Sequence, residues 1–560
     1  MIRALAVAAL VAGCGAAAPS TTVPAPPPTA ATETKPEPKP EPTMPPAPVT
    51  QTAQPQELQF PNEDFRAHQP PAGAPHPFKL PRVQTFTLKS GIHVFLVEQH
   101  TLPIVSMDLN FDGGDITDPK GKEGLASVCS AMLTEGTAKL DKLAYSEALA
   151  DVASNIHGYS TEDSQGVGLS TLTKHLDVTF GLFADTIRTP GLRAPDFDRM
   201  IKRRIENVKQ QRGNPAAIPG RVADAVLYGP DHPLGAVITE KSLAAITLDD
   251  CKRQLSTWLQ PKNARLFVVG DLAEAQVQDA FDHSAFAGWT GSPPPEPHIP
   301  PAKRMAGRIF FVDVPHAAQS TVMLMELGPK RTAADYFANT MLSGVFGGSF
   351  TSRINMNLRE DKGYAYGARG GFDYRVRDGG TFTALASVQA DATYQSLLEI
   401  DREAKALASG KRPVTAEELE REKTNAVLAL PGRFATAQAA LGQYRALVYY
   451  GLPLDYYNSY VDRITKVSDV QVKASATAHI KPAQAIYLVV GDGNAPMIVH
   501  NDDAKPDDPP QVRRLPYTTG GPGGHQLTLR EALADLAKRG DVGPGGLVEL
   551  DVDGKPITGH

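Results

Sequence analysis

The chain has 560 residues, 41% of them hydrophobic, and a formal net charge of −6. That length predicts two or more domains, and the small net charge gives no sign of nucleic-acid binding through a basic face. After residue 20 no apolar run reaches the roughly eighteen residues of a membrane-spanning helix.

In chain order, the first element reads as a targeting signal. Arg3 supplies the positive start and Ala4 to Val11 the short apolar stretch. Val11-Ala12-Gly13-Cys14 resembles a bacterial lipobox, so residues 1–14 are expected to be a lipoprotein signal with Cys14 as the lipidation site; an ordinary secretory signal with an incidental cysteine is the alternative. Gly15 after the cysteine resembles the pattern for outer-membrane sorting, which predicts an envelope protein facing the periplasm. Residues 15–78 are a Pro-rich tether, with Lys35-Pro36-Glu37-Pro38-Lys39-Pro40-Glu41-Pro42 as its repeat. Such a composition cannot bury a core and favours extended chain.

The body starts with strands. Phe86 and Leu88 alternate, Ser90-Gly91 turns, and Ile92, Val94 and Leu96 alternate again; Val105, Met107, Leu109 and Phe111 repeat the period of two. Helical patterns follow near 121–135, 143–153, 175–188, 195–212 and 240–259. Strands first and helices later predict an α+β sandwich and not a doubly wound sheet. The run Pro293 to Pro301 marks a linker, and strands resume around 308–314 and 321–327.

An internal repeat sets the architecture. Pro261 precedes Gly270 by nine residues in a strand ending Val268-Val269-Gly270-Asp271, and Pro482 precedes Gly491 likewise in Val489-Val490-Gly491-Asp492. Thr247 with Asp250 and Ser468 with Gln471 each look like a capped helix start. All four pairs share one offset (482 − 261 = 221; 491 − 270 = 221; 468 − 247 = 221; 471 − 250 = 221). The fold class is therefore α+β with two homologous α/β-sandwich halves, 79–290 and 304–500, joined by a linker at 291–303. Residues 501–560 are expected to be a loose tail with one short helix, in which Thr528 to Glu531 is a capping box, Leu529, Leu533 and Leu536 form a stripe and Gly540 ends the helix.

The stretch from Gly124 to Thr137 resembles the active-site helix of the insulinase/pitrilysin family of zinc peptidases, whose motif is H-x-x-E-H. Where that motif has two histidines and a glutamate, this chain has Ser127, Ser130 and Ala131. Positions four apart share a helix face, and neither serine nor alanine replaces an imidazole or a general base. The family's third ligand falls near Glu206 or Asn207, between which the sequence does not choose. The fourteen histidines are scattered, with His93/His100 and His68/His76 the nearest pairs, none at i, i+4 spacing. Cys14, Cys129 and Cys251 lie too far apart for a zinc knuckle; the latter two read as buried apolar thiols rather than a disulfide.

The segment Ser352 to Tyr366 resembles the family's second signature, in which an arginine and a tyrosine bind substrate carbonyls and the developing oxyanion. Here they are Arg359, in the last turn of a predicted helix ending near Lys362, and Tyr366 on the following strand. Read without the resemblance, Arg359 pairs with Glu360 or Asp361 and Tyr366 is a half-buried strand aromatic. Gly344-Val345-Phe346-Gly347-Gly348-Ser349 lacks the phosphate-loop Lys; it is either a glycine-rich loop near the chamber, as in the non-catalytic subunit of mitochondrial processing peptidase, or a tight turn at a helix start. His232, in a "GxxHPxG"-like loop, reads as structural.

The resemblance covers residues of about 80–495 and implies a processing-peptidase-like body forming half of a clamshell chamber. It implies a non-catalytic, substrate-binding subunit of a heteromeric zinc peptidase, with no metal of its own and zinc in a homologous partner, acting on unfolded peptide. An active zinc metalloendopeptidase with unrecognised ligands, and an envelope scaffolding lipoprotein without a proteolytic role, are the other two readings.

Overall fold

The computed structural model describes residues 80–557, apart from 304, 306, 307, 378, 502, 506, 507, 521, 522 and 544. The signal and tether expected over 1–14 and 15–78, Cys14 included, lie outside the described residues. The chain divides into two units, Met1–Phe78 and Lys79–His560, and both halves of the body belong to the second.

The first half opens on β1 Gln84–Thr87, β2 His93–Glu98 and β3 Ile104–Asp112. The strand expected from the alternation of Val105, Met107, Leu109 and Phe111 is β3; those four are fully buried, and so are the polar Ser106, Asp108 and Asn110 between them, because both faces of the strand are covered. Then come α1 Leu125–Met132, α2 Lys142–Asp151, the hairpin β4 Asn155–Ser160 and β5 Ser164–Leu172, α3 Leu176–Arg188, α4 Ala194–Arg212, α5 Ile218–Tyr228, α6 Leu248–Trp258, β6 Ala264–Gly270 and α7 Glu274–Asp282. The helix expected over 240–259 is broken: Glu240–Ala244 is a separate short helix, because Thr247 restarts the chain with its own capping box to Asp250. The strands form one sheet in the order β1-β2-β6-β3-β5-β4.

The second half repeats the plan. It comprises β7 Ile309–Asp313, β8 Gln319–Gly328, α8 Tyr336–Phe346, β9 Ala365–Val376, β10 Gly379–Gln389, α9 Thr393–Ala408, α10 Ala416–Leu428, α11 Ala437–Tyr449, α12 Asp469–His479 and β11 Ile486–Gly491. In both sheets the strand that closes on Gly-Asp is an inner one, β6 between β2 and β3 and β11 between β7 and β8. The repeat is thus a repeat of topology, with capping boxes at Thr247 and Ser468 starting the equivalent helices α6 and α12.

The halves also exchange a helix. Ile218, Val222 and Val226 of α5 pack against Phe310, Val312, Ile486 and Leu488 of the second sheet. Reciprocally, α11 lies across β3 and β6, drawing Val97, Phe267 and Val269 into the second core. Adding 221 to 218–228 gives 439–449, inside α11, so the exchanged helices are the same element of the repeat. Ion pairs reinforce the seam: Arg445 to Asp108 at 2.7 Å, Arg377 to Asp112 at 2.8 Å and Arg375 to Asp224 at 2.7 Å.

Two expectations are corrected. Residues 501–560 are not a loose tail. A short hairpin, β12 Ile498–His500 with β13 Arg514–Pro516, leads to α13 Leu529–Arg539, whose Leu529, Ala532, Leu533 and Leu536 are buried in the second core. β14 Leu547–Leu550 then joins the second sheet parallel to β7, in the edge place that β1 fills in the first half. The apolar stripe needed a partner surface, and the second sheet needed an edge strand. Nor are the cysteines free thiols: packing of α1 on α6 brings Cys129 and Cys251 together as a disulfide across a sequence separation of 122.

Candidate functional site

The helix that resembles a zinc-peptidase helix is α1, and its start is fixed from outside. Gly124 takes a left-handed φ of 100°, and the Asp118 carboxylate accepts from the Gly124 and Ala126 amides at 2.7 and 2.8 Å. Burial, with Asp115 close by, pushes the Asp118 carboxyl up to about 8 against the pull of those amide donors. The flank of α1 rests on β4 because residue 158 is glycine; a Cβ there would stand 2.1 Å from the Ser130 carbonyl oxygen. Ser130 is buried, 3.5 Å from the Gln165 side-chain oxygen. Ala131 packs against the first core, and Ser127 is half-buried.

On α4, positions 204 and 207 share a face and 206 points away from it. Glu206 is exposed and paired with Lys209 at 2.7 Å. Arg204 instead reaches Ser127, its guanidinium 3.5 Å from the Ser127 carbonyl. Burial, then the neighbouring Arg203, holds Arg204 below its ordinary value, although a guanidinium stays charged. Glu206 and Asn207 are both exposed, and neither makes a hydrogen bond or ion pair to α1 among the described residues. Arg204 was not legible as a neighbour of α1, because its reach to Ser127 depends on how α4 packs.

Arg359 and Tyr366 are brought together. The segment before them is anchored by Arg353, bidentate to Glu418 at 2.7 and 2.8 Å, and by Asn355, whose side chain bridges the Phe350 carbonyl and the Ala368 amide. The predicted helix ends where expected: Arg353–Asn355 continues as a π-helix over Met356–Asp361 with Lys362 at its C-cap, and Gly363 at φ 62° delivers the chain to β9. The Arg359 guanidinium stands 5.0 Å from the Tyr366 ring centroid and 4.7 Å from that of Phe350, a cation between two aromatic faces. It also meets Glu360 at 3.1 Å. Tyr366 is 71% exposed, so it is not a half-buried strand aromatic, and Phe350 is 59% exposed. Phe350 was not legible as a site residue.

The C-terminal segment braces this site. Arg514 of β13 donates to the Gly363 carbonyl at 3.1 Å and to Gln389 at 2.6 Å, and its guanidinium lies over the Tyr364 ring. The glycine run at 344–349 is neither a phosphate loop nor a helix start; it ends α8. Gly347 touches Gly370 of β9 so closely that a Cβ would lie 2.3 Å from the Gly370 nitrogen. His232 accepts from the Leu234 amide through Nδ1 and donates from Nε2 to the Pro300 carbonyl, which ties the linker to the first half.

The sequence model described as insulinase (peptidase family M16) matches residues 93–227, and that of the peptidase M16 inactive domain matches 245–426. The chain belongs to the insulinase family, M16. A relative in Helicobacter pylori, the "Non-peptidase homolog YmxG", is 22% identical over 72% of this chain and 93% of its own. The "Uncharacterized zinc protease YmxG" of Bacillus subtilis is 22% identical over 61% and 82%. Among solved structures, a peptidase M16 inactive domain from Pseudomonas fluorescens superposes with a TM-score of 0.67 at 25% identity, covering 73% of this chain and 98% of that one.

The zinc of M16 peptidases does not fit this α1. A serine hydroxyl is a weak ligand and alanine none. Ser130 is buried beside the Gln165 amide, and the cation Arg204 opposes a second cation beside Ser127. Among the described residues no three His, Cys, Asp or Glu side chains converge on one point.

Proposed function

We propose that this M16 chain is the non-catalytic, substrate-binding subunit of a heteromeric zinc peptidase of the bacterial envelope. A homologous chain would carry the zinc, and this one would lend Arg359 and Tyr366 to the shared chamber for unfolded peptide. The observation that carries the reading is the contrast between the two sites. Arg359, half-buried, and Tyr366, open to solvent, stand side by side, while α1 can neither hold zinc nor supply a base. A guanidinium and a phenol are strong donors to a peptide carbonyl, and to the oxyanion it becomes when water adds. The aromatic faces of Phe350 and Tyr366 hold the guanidinium plane, so little reorganisation accompanies binding.

The envelope part of the proposal rests on the lipobox-like Cys14 and the tether, with a disulfide that suits an oxidising compartment in support. Acylation at Cys14 would anchor the chain at the outer membrane, facing the periplasm. The test is reconstitution with a zinc-bearing M16 homologue from the same organism and cleavage of an unfolded peptide. This chain alone is expected to be inactive and the mixture active. Arg359→Ala with Tyr366→Phe is expected to lower the rate of the mixture about 10²-fold. An unchanged rate, or stoichiometric zinc with chelator-sensitive cleavage by this chain alone, would sink the proposal.

A further inference from the structure

A cavity of about 150 Å³ opens among α8, α11 and the turns before and after α11, far along the chain from Arg359. Two guanidinium groups line it. Arg331 is nine-tenths buried; it stacks 3.4 Å from the Tyr336 ring centroid and donates to the Tyr456 hydroxyl at 3.0 Å. Arg433 stands over the Tyr460 ring at 5.5 Å. Elsewhere in the second half, buried Arg353 pairs with Glu418 and half-buried Arg375 with Asp224, while fully buried Arg308 donates to the Val542 and Ala483 carbonyls. Among the described residues Arg331 and Arg433 have no carboxylate partner; their neighbours are phenols and ring faces. Aromatic faces offset part of the cost of burying a cation, but two like charges on one small cavity still lack a counter-charge.

The remaining lining sharpens the fit. The Tyr457 hydroxyl donates to the Gln443 side-chain oxygen at 2.6 Å, which leaves the Gln443 NH₂ as a further donor on the wall. Leu447 and Leu452 close one side with apolar surface. The walls thus offer donors and positive charge, with no carboxylate among them, around a space of small-molecule size.

We propose that this cavity binds a small oxyanion-bearing ligand, a carboxylate or a phosphate, clamped between Arg331 and Arg433. A planar guanidinium suits either, since both present paired oxygens to its fork of N–H groups. The site is independent of α1 and of Arg359, so its occupancy can be read without any peptidase partner.

The test uses the full chain. Sodium phosphate and sodium acetate are each titrated against sodium chloride at equal ionic strength, by calorimetry and by thermal unfolding. Saturable heat with a saturable rise in melting temperature is expected for at least one of the two, and the stronger arm identifies the ligand as phosphate or carboxylate. Arg433→Gln sits on a partly exposed short turn and is expected to leave the fold intact while weakening binding about 10- to 100-fold. Arg433→Lys is expected to keep part of the affinity. Absence of saturable binding in both arms overturns the proposal. So does a rise in melting temperature that grows without saturation and persists in Arg433→Gln, since salts excluded from protein surfaces stabilise any fold in that way.

Discussion

Reducing the Cys129–Cys251 bond should destabilise the first half by an amount that the chain topology fixes. The bond closes a loop between residues 122 apart. The entropy that such a cross-link removes from the unfolded chain corresponds to about 5 kcal/mol at 25 °C. Both sulfur atoms are fully buried where α1 meets α6, so the reduced thiols stay packed and no large cavity term is added. Guanidinium unfolding of the wild type with and without dithiothreitol should therefore differ by about 5 kcal/mol. Cys251→Ala should be insensitive to the reductant. Non-reducing peptide mapping of the native protein should recover residues 129 and 251 in one linked fragment. Mapping that finds both thiols free refutes the reasoning at its root. An unchanged unfolding midpoint after confirmed reduction refutes the loop-entropy account.

Further outcomes follow from other buried groups. Arg445→Met leaves the buried Asp108 carboxylate without its cation and should cost about 3–5 kcal/mol in a denaturant melt, while adding Asp108→Asn should recover much of that loss. Glu326 on β8 is held up to about 7 by burial, against the pull of the Lys481 amide that donates to it at 2.7 Å. A carboxyl raised above its ordinary 4.5 favours the folded state when protonated; that contribution is complete at pH values below the ordinary one and is lost as pH rises through about 7. Thermal melts should thus show about 2–3 kcal/mol of stability lost between about pH 5 and pH 8 through this group, and Glu326→Gln should remove that component. Arg514→Ala removes the bond to the Gly363 carbonyl, should cost only about 1 kcal/mol of stability, and should nonetheless slow peptide cleavage in the reconstituted mixture, because it loosens the turn between Arg359 and Tyr366.

The parts legible in the sequence are those whose cause is local. The capping residues Thr247 and Ser468, and the glycines that end β6 and β11, signal their structure within a few residues, and their constant offset exposed the duplicated plan. The alternation in β3 did the same for a buried strand. What escaped depends on contacts far along the chain. An amphipathic helix shows which face is apolar but not which sheet will cover it, so the exchange of α5 and α11 between halves left no local mark. The four residues of β14 follow a glycine-rich run and acquire meaning only beside β7. The disulfide required knowing that α1 packs on α6. At the candidate site the positions of Arg359 and Tyr366 were readable, whereas the Phe350 face depends on the π-helix that aims Arg359 back along the chain.

The state of α1 is more than a missing motif. In a zinc peptidase the metal ties the active-site helix to its neighbours through its ligands. Here other ties connect the same helix. The disulfide binds its interior face to α6, Asp118 holds its first turn, Gly158 lets β4 press on its flank, and Arg204 of α4 reaches its Ser127 carbonyl. One of these ties also brings charge to the place a metal site would need. Arg204 places positive charge beside Ser127, and the Gln165 amide closes the side of Ser130. Imidazoles at 127 and 131 with a carboxylate at 130 would therefore meet a guanidinium and a closed wall. Recovering zinc on this helix would thus call for removing Arg204 and opening the Gln165 side as well as supplying ligands, because the ties that hold α1 here are structural and need no metal.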